Sequence, residues 1–288
     1  MSATRLALRD ADFQELSELI RARSGIEVRP SHRFPLEARL THRLRELHFD
    51  SFGQYMRFLT TGPFQSDEFH QLLSSSLIAD GCFFRQHRQL EHFRLTILPG
   101  LLRARGAQRH LRIWNPACST GEETYSIAII VHRALAGALA DWRVEILGTD
   151  ISPCALDVAR RAVYRRFSLP SVEVEVRRRY FSLRDGLFHV DAEVRTMVGF
   201  RTHNLTDDLL ARRFGRWDAI FCRDALSRFN PGTRAEILAT LDDRLHDDGV
   251  LLLGHDERVR DPSHRLVPRD PLTPGVLVKA DAEVSRNA

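Results

Sequence analysis

The sequence contains a single lysine, Lys279, although 42 of its 288 residues are lysine or arginine. Its positive charge is therefore almost all arginine, and acidic residues nearly balance it, leaving a net charge of +4 with histidine neutral. Nucleic-acid binding requires basic residues concentrated on one face. The overall balance gives no sign of such a face and disfavours a nucleic-acid-binding protein.

Apolar runs of the ~20 residues that cross a membrane are absent, and Met1 to Ala11 lacks the apolar core of a signal peptide. The cysteines are scattered along the chain and show no metal-ligand spacing. The sequence therefore predicts a cytoplasmic protein with reduced thiols, no membrane insertion and no metal site. The cysteines are Cys82, Cys118, Cys154 and Cys222.

The N-terminal third of the chain has the pattern of a small all-α domain. Apolar residues recur there at helical spacing, and Gly25 and the run 60–63 supply helix-ending signals. We assign residues 1–88 to this domain and 89–105 to a linking helix broken at Pro99. The predicted helices cover about residues 13–25, 35–47, 52–59, 66–77 and 90–102.

From Leu111 onward, strand-like runs alternate with helical ones, which indicates a mainly parallel sheet with helices on both faces. We assign residues 106–288 to this α/β domain. Its predicted strands cover residues 111–114, 144–149, 198–203, 219–222 and 250–254, and its predicted helices end near 138, 163 and 245. Residues 174–198 interrupt the alternation and predict a small antiparallel β insertion. The strands predicted within it cover residues 180–183, 187–190 and 194–198.

A turn of small residues, Ala117–Gly121, follows the first predicted strand and leads into a helix that opens with Glu122 and Glu123. A strand, a tight turn and a helix N-terminus form the usual cradle for a nucleotide-like ligand. A phosphate would meet bare N–H groups there, whereas two acids favour a ligand with a cationic end, such as S-adenosylmethionine. An ordinary strand-to-helix connection is the alternative interpretation.

Asp150 closes the second predicted strand, 29 residues after Gly121. An acid at this point can accept hydrogen bonds from both hydroxyls of a ribose. Alternatively, Asp150 or Ser152 caps the helix that starts at Pro153. Found in order and at this spacing, the acidic turn and Asp150 favour an adenosine site.

Three further segments place polar or aromatic residues near the predicted sheet edge. Asp218–Asp224 ends an apolar strand with polar residues, either at a ligand site or in a solvated loop. His203–Leu205 either borders an adenine ring or contains a simple turn asparagine. Phe83–Arg85 forms either a lid or aromatic packing between the two domains.

Together these segments, with Gly254–Glu257, resemble the bacterial chemotaxis receptor methyltransferases, the CheR family. The resemblance extends over roughly residues 12–279. It implies a small helical domain followed by a Rossmann-like S-adenosylmethionine domain with an inserted antiparallel subdomain. It also implies methyl transfer to glutamate side chains of chemoreceptors, which gives glutamyl methyl esters and S-adenosylhomocysteine.

The resemblance implies residue roles as well. Glu123 would hold the methionine ammonium, and Asp150 the ribose hydroxyls. Arg85 would approach the reacting centre. The complete cofactor-binding set is Ala79, Gly81, Arg85, Ala117, Glu123, Asp150, Asn204, Leu205, Arg223 and Asp224. The residues expected to be catalytic are Arg85 and Arg228.

Four of these positions depart from the family pattern. Ala79 and Gly81 replace the Asn and Thr of an Asn-x-Thr-x-Phe-Phe-Arg run, and Asp224 and Arg228 replace the Asn and Tyr of a Cys-Arg-Asn-x-x-x-Tyr-Phe run. Arg228 either adds an anchor for an acidic substrate or fills its space. A second hypothesis is therefore a degenerate member that binds S-adenosylmethionine, S-adenosylhomocysteine or another ligand and regulates without methylating.

Residues 21–45 carry seven arginines against Glu27 and Glu37. Arg39 and Arg43 are predicted to share a basic helix face. This face is either simply solvated or docks on acidic receptor helices or another acidic protein. An anionic second messenger would suit the same charge, although no motif supports it. In some family members the small insertion docks a receptor's C-terminal peptide.

Overall fold

The computed structural model describes residues 6–61, 65–77, 81–255, 257, 265–270, 273 and 275–280. Ala79, and Asp256 within the run Gly254–Glu257, lie outside these ranges. Across the described ranges, no helix is long and apolar enough to span a membrane.

Four helices form the N-terminal part, as the periodicity predicts. The first ends at Gly25, whose φ of 77° is the left-handed conformation that glycine adopts without strain. In the second, Leu36, Leu40 and Leu44 recur every four residues and are all buried, so one stripe of the helix faces the core. The helices are α1 (Asp10–Ser24), α2 (Arg33–Glu46), α3 (Phe52–Thr61) and α4 (Gln65–Leu77).

The linking segment stays helical through Pro99, so the predicted break at this residue is wrong. It consists of α5 (His87–His92), a π-helical stretch (Phe93–Ile97) and α6 (Leu98–Ala104). Pro99 lies in the first turn of α6, where a missing N–H costs little. The π-helical stretch just before α6 has a wider turn, which accommodates the change in backbone geometry near Pro99.

A seven-stranded sheet lies at the centre of the α/β part, in the order β6-β2-β1-β7-β8-β10-β9. The first five strands in this order are parallel, whereas β10 and β9 are antiparallel additions that the sequence patterns did not predict. The strands are β1 (His110–Pro116), β2 (Arg143–Asp150), β6 (Val198–Thr202), β7 (Trp217–Cys222), β8 (Leu245–Leu253), β9 (Leu266–Pro268) and β10 (Val276–Lys279). The helices after these parallel strands are α7 (Glu122–Ala134), α8 (Pro153–Arg161), α11 (Asp208–Arg213) and α12 (Pro231–Arg244).

Strand order reverses between β1 and β7. From β1 the chain proceeds outward through β2 to β6, and it then returns to the other side of β1 to form β7 and β8. Ligands of open α/β sheets bind at such a switch point, outside the carboxyl ends of the strands. The acidic turn follows β1, Asp150 ends β2, and Arg223 follows β7, so all three meet at this edge.

The small antiparallel sheet differs from the predicted one in its third strand. Its strands are β3 (Val163–Tyr164), β5 (Leu187–Val190) and β4 (Phe181–Arg184), in that order. Residues 194–198, predicted as a strand, instead continue α10 (Ala192–Thr196) toward β6. The Asp191 carboxylate accepts a hydrogen bond from the Glu193 N–H at 2.9 Å, which caps a helix. A further helix, α9 (Val174–Tyr180), precedes β4.

The sheet is packed on both faces by alternate residues of its strands. Trp114 of β1 and Ile220 of β7 join the core that contains the N-terminal helices. Their neighbours in sequence point to the other face: Ile113, next to Trp114, and Phe221, next to Ile220, join the core beneath α5, α7 and the small sheet. The N-terminal helices therefore share a core with the sheet.

Gly121, near the site, is expected to tolerate a side chain poorly. Its φ is 91°, and a Cβ there would lie 2.8 Å from the Ala159 Cβ. Gly121→Ala should therefore add a packing clash of ~1–3 kcal/mol to the ~1–2 kcal/mol of the left-handed backbone. Gly137 has a φ of 84° and nothing within 4 Å of a Cβ, so Gly137→Ala isolates the backbone cost. Urea unfolding of both variants measures the difference, and equal destabilisation would contradict the clash.

Candidate functional site

A cavity that is open to solvent lies at the carboxyl ends of the parallel strands, where open α/β sheets bind their ligands. Every residue predicted to bind the cofactor or to be catalytic lines it within the described ranges; Ala79 alone falls outside them. The predicted residues brought together are Gly81, Arg85, Ala117, Glu123, Asp150, Asn204, Leu205, Arg223, Asp224 and Arg228.

The acidic turn has an unusual backbone. Ala117, Ser119 and Gly121 have φ values of 55°, 50° and 91°, and the first two are residues for which this conformation is strained. The turn is held to the end of β2, since the Cys118 N–H donates to the Thr149 carbonyl at 2.9 Å. This geometry brings the start of α7 to the cavity, so it is more than an ordinary strand-to-helix connection.

Both acids of the turn line the cavity, and Glu123, in the first turn of α7, is the more exposed of the two. Its Oε1 lies 2.5 Å from Nη1 of the nearly inaccessible Arg223, and Asn115 Nδ2 donates to Oε2 at 3.1 Å. Burial raises the pKa of Glu123 above its usual 4.5, and the Arg223 charge opposes this effect. A bound ammonium would add the further cationic partner that such a carboxylate lacks.

The raised pKa of Glu123 predicts that ligand affinity falls on acidification. An ammonium favours the ionised carboxylate, so binding lowers the pKa of Glu123 and releases protons. Affinity for S-adenosylhomocysteine, which keeps the ammonium, should therefore rise with pH through the raised pKa, above 4.5, and then level off. Calorimetry in buffers of different ionisation enthalpy measures the released protons. Proton uptake on binding would contradict the prediction.

Asp150 joins the acidic turn to the residue that precedes α8. Its Oδ2 accepts from the Ser119 N–H at 2.8 Å and its Oδ1 from the Ser152 N–H at 2.9 Å. Ser152 caps α8 itself, accepting from the Ala155 N–H at 3.1 Å. Burial raises the pKa of Asp150, and the two N–H donors lower it. Each carboxylate oxygen retains acceptor capacity toward the cavity, as a pair of ribose hydroxyls requires.

Asn204 is a turn asparagine at the cavity wall, and its predicted place beside an adenine ring stays a prediction. Its Oδ1 accepts from the Thr206 N–H at 3.2 Å, which makes it a turn asparagine, and the residue also lines the cavity. Leu205, buried at 8% exposure, supplies apolar surface next to it. This wall suits a flat, partly polar ring.

The opposite wall comes from the segment before α5. Phe83 is fully buried and packs edge-on against Tyr164 and Phe181 of the small sheet, with ring centroids 4.9 Å apart in both pairs. Phe83 therefore packs in the core and does not form a lid. Its aromatic partners, however, lie in the small sheet and not in the helical domain. Arg85 is half exposed, and its Nη2 lies 3.7 Å from Asp224 Oδ2.

Gly81 leaves room for the other acid of the turn. A Cβ at this position would lie 2.6 Å from Glu122 Oε2. The Glu122 carboxylate is buried and accepts hydrogen bonds from Thr120 at 2.6 Å and Ser168 at 3.3 Å. Gly81, one of the four departures, is thus accommodated by the local packing and leaves no gap.

Arg228 reaches the cavity from the segment after β7. It is half-buried and forms no ion pair among the residues that the structure describes. Burial lowers the pKa of Arg228, and the carboxylates of Asp150, Asp224 and Glu257 oppose this effect. A guanidinium remains cationic under such a shift, so the cavity carries a cation whose charge is available to a ligand.

Sequence reasoning missed Gln86, which contacts residues of the cavity, and Ile26, which lines it. Gln86, next to Arg85, bonds to both Arg223 and Asp224; its position in the sequence was the only available signal. Ile26, from the helical domain, lines the cavity and pairs with Phe229 through an isolated β-bridge. No sequence pattern indicates this long-range pairing.

The two arginines predicted to bind a partner have different surroundings. Arg43 Nη2 lies 2.6 Å from Glu68 Oε2, and the buried Glu68 also accepts from Tyr55 at 2.8 Å. Arg43 therefore stabilises the packing of α2 on α4, whereas Arg39 is exposed. Partner binding through these residues stays a prediction, and Arg39 is the better position at which to test it.

The residues present fit S-adenosylmethionine. A carboxylate faces the cavity for the ammonium, a second one for the ribose, and Leu205 flanks the space for the base. The sheet order and the acidic turn after β1 complete the pattern. The fold and the site define an S-adenosylmethionine-dependent methyltransferase, consisting of an all-α N-terminal domain and a Rossmann-like domain with a small antiparallel sheet.

Comparison with known families agrees with this class. Residues 80–269 match the family described as CheR methyltransferase, SAM binding domain, and residues 11–75 match CheR methyltransferase, all-alpha domain. The chain belongs to the CheR methyltransferase family. S-adenosylmethionine is its cofactor.

Curated relatives span most of the chain. It is 35% identical over 260 residues to the chemotaxis protein methyltransferase of Escherichia coli (strain K12), covering 88% of this chain and 86% of the relative. It is 37% identical over 262 residues to chemotaxis protein methyltransferase 2 of Pseudomonas aeruginosa, covering 88% of each. A solved S-adenosylmethionine-dependent methyltransferase from Anabaena variabilis aligns with a TM-score of 0.37 at 14% identity, covering 65% of this chain and 60% of that one. The family assignment does not depend on that structure.

Proposed function

We propose that the protein transfers a methyl group from S-adenosylmethionine to glutamate side chains of chemoreceptors, forming glutamyl methyl esters. The observation that carries this proposal is the cavity, which is lined by the cofactor-type carboxylates of Glu123 and Asp150 and by the guanidinium groups of Arg85 and Arg228. The relatives are named chemotaxis protein methyltransferases, which points to a chemotaxis protein as the substrate. A glutamate substrate matches the guanidinium of Arg228, which forms no ion pair among the described residues.

The cofactor, when bound, supplies an electrophilic methyl group for in-line displacement. Glu123 would hold its ammonium and Asp150 its ribose, fixing the position of the methyl relative to the cavity mouth. The incoming glutamate is already ionised at neutral pH, so no general base is needed. Catalysis is then mainly positioning, which is worth up to ~7–11 kcal/mol in favourable geometry.

Arg85 would orient the substrate carboxylate. Its guanidinium is half exposed and stands 3.7 Å from Asp224, a distance at which the pair is loose. A planar fork can hold a carboxylate through two parallel hydrogen bonds. Too tight an ion pair would weaken the nucleophile, so Arg85 orients rather than activates.

Arg228 would be a second anchor for the same carboxylate or its neighbours. It replaces a Tyr of the family pattern, and its charge is not taken up by an ion pair among the described residues. This favours the anchor over the alternative in which Arg228 fills the substrate space.

The degenerate, non-catalytic alternative has no observation in its favour. The cofactor half retains both carboxylates, and Gly81 is packed rather than vacant. Titration calorimetry with S-adenosylmethionine and S-adenosylhomocysteine, paired with an ester-release assay on receptor cytoplasmic fragments, tests the proposal. Cofactor binding with no ester on a matched receptor fragment would overturn it. Receptors present their glutamates in the cytoplasm, so cytoplasmic localisation belongs to the same proposal.

A further inference from the structure

The amide side chain of Gln86 joins two charged residues that line the cavity, Arg223 and Asp224. Its Nε2 donates to both carboxylate oxygens of Asp224, at 3.1 and 3.0 Å. Its Oε1 accepts from Arg223 Nη2 at 3.0 Å and from the His255 N–H at 3.3 Å. Donor and acceptor ends of the amide are thus both used, each toward a different charged residue.

Arg223 and Asp224 each contact a different part of the site. Arg223 pairs with Glu123, the carboxylate that faces the cofactor ammonium, and it also donates to the Arg85 carbonyl at 2.8 Å. Asp224 stands beside the Arg85 guanidinium. A displaced Gln86 would therefore disturb the cofactor contact and the substrate arginine together.

The backbone around this contact is strained and needs to be held. Phe84, Gln86 and Asp224 have φ values of 56°, 53° and 58°, and none of them is glycine. Non-glycine residues keep such values only where their surroundings fix them. The Gln86–Asp224 hydrogen bonds tie the two strained segments to each other.

Asp224 has little freedom to find another partner. Its own N–H donates to Glu257 Oε2 at 2.9 Å, and a Cβ at Gly254 would lie 2.2 Å from Asp224 Oδ1. The carboxylate is enclosed on that side and faces Gln86 and Arg85. The family has Asn at this position. An acid here therefore depends on a hydrogen-bond donor at residue 86.

We propose that Gln86 is a positioning residue that couples the ammonium contact to the substrate arginine, and that its amide is matched to Asp224. The role at Arg85 rests on the proposed function, whereas the role at Glu123 requires only cofactor binding. A glutamate at position 86 would still accept from Arg223 but would face Asp224 with a second carboxylate. Combining Gln86→Glu with Asp224→Asn exchanges the amide and the carboxylate, which restores a donor opposite an acceptor.

A charge-exchange cycle tests this match. The variants are Gln86→Glu, Asp224→Asn and the double variant, with the S-adenosylhomocysteine Kd, the receptor KM and kcat as readouts. We expect Gln86→Glu to weaken S-adenosylhomocysteine binding and lower kcat/KM by about tenfold or more, because two facing carboxylates repel. Adding Asp224→Asn to it should regain at least about fivefold in both quantities.

Gln89→Ala is the matched control, because it also removes an amide hydrogen bond from the same segment. Gln89 Nε2 donates to the Leu253 carbonyl at 2.7 Å, and no hydrogen bond joins Gln89 to Arg223 or Asp224 among the described residues. Losses in Gln89→Ala equal to those in Gln86→Glu would indicate a general structural role and overturn the proposal, as would a double variant no better than Gln86→Glu. If the wild type forms no ester at all, the methyl-transfer proposal fails, while the S-adenosylhomocysteine affinities still decide the coupling.

Discussion

Replacing Glu123 with glutamine is expected to weaken S-adenosylhomocysteine binding by roughly 10- to 100-fold. A hydrogen bond to a charged group contributes about 1.5–3 kcal/mol, and each 1.4 kcal/mol is about a tenfold change in Kd. The glutamine side chain would keep the shape and one acceptor but lose the charge that faces the ammonium. It would also leave Arg223, which is 3% exposed, without its carboxylate partner. Titration calorimetry on the variant measures the loss.

Glu145→Gln is the control for Glu123→Gln. Glu145 also pairs with an arginine, Arg112, at 2.9 Å, but on β2 away from the cavity. It should leave the Kd within about twofold of the wild type, since surface pairs contribute little. Glu123 would not be the ammonium contact if its variant bound S-adenosylhomocysteine as tightly as Glu145→Gln does.

The parallel sheet was predictable because its strands are apolar runs that end in polar residues. Asp150 and Arg223 stand where such runs stop, and the carboxyl ends of parallel strands share an edge. Local pattern was therefore enough to place the segments that carry these residues at one edge, whereas the full cofactor-binding set came from the resemblance to the family. The same reasoning located the acidic turn, although not the strained backbone that orients it.

Local pattern failed where a single side chain or a distant partner decides the structure. Residues 194–198 alternate like a strand, but the Asp191 cap starts a helix there. Strand β10 is only four residues long and is stabilised by its pairing with β8. Periodicity placed Arg43 on a basic helix face, but it cannot show that Glu68, 25 residues further on, binds it.

The polar network at residue 86 could not be predicted from the sequence either. A glutamine next to Arg85 carries no motif, and its partners Arg223 and Asp224 lie 137 and 138 residues away. Such contacts follow from the loop geometry at the sheet edge, which no spacing rule encodes. The departures from the family pattern were visible in the sequence, but their packing was not.

Arg85→Ala is expected to lower kcat/KM for receptor methylation by about 100-fold, the effect of misplacing a reacting group. The S-adenosylhomocysteine Kd should change by no more than about threefold, because Gln86 still holds Asp224 at 3.0 and 3.1 Å. Arg85→Lys keeps the charge but not the planar fork, so its activity should lie between those of wild type and Arg85→Ala. Ester release and calorimetry on the same preparations separate turnover from binding.

Two other arginine variants serve as comparisons for the effect of Arg85→Ala on kcat/KM. Arg88 is exposed, follows in α5 and does not line the cavity, so Arg88→Ala should retain wild-type kcat/KM. Arg228→Ala removes the second cation and should raise the receptor KM by about tenfold, since one charged contact is lost. If Arg85→Ala affected kcat/KM no more than Arg88→Ala, the substrate carboxylate would not be held by Arg85. A lowered KM in Arg228→Ala would mean that this side chain occupies the substrate space instead of anchoring the carboxylate.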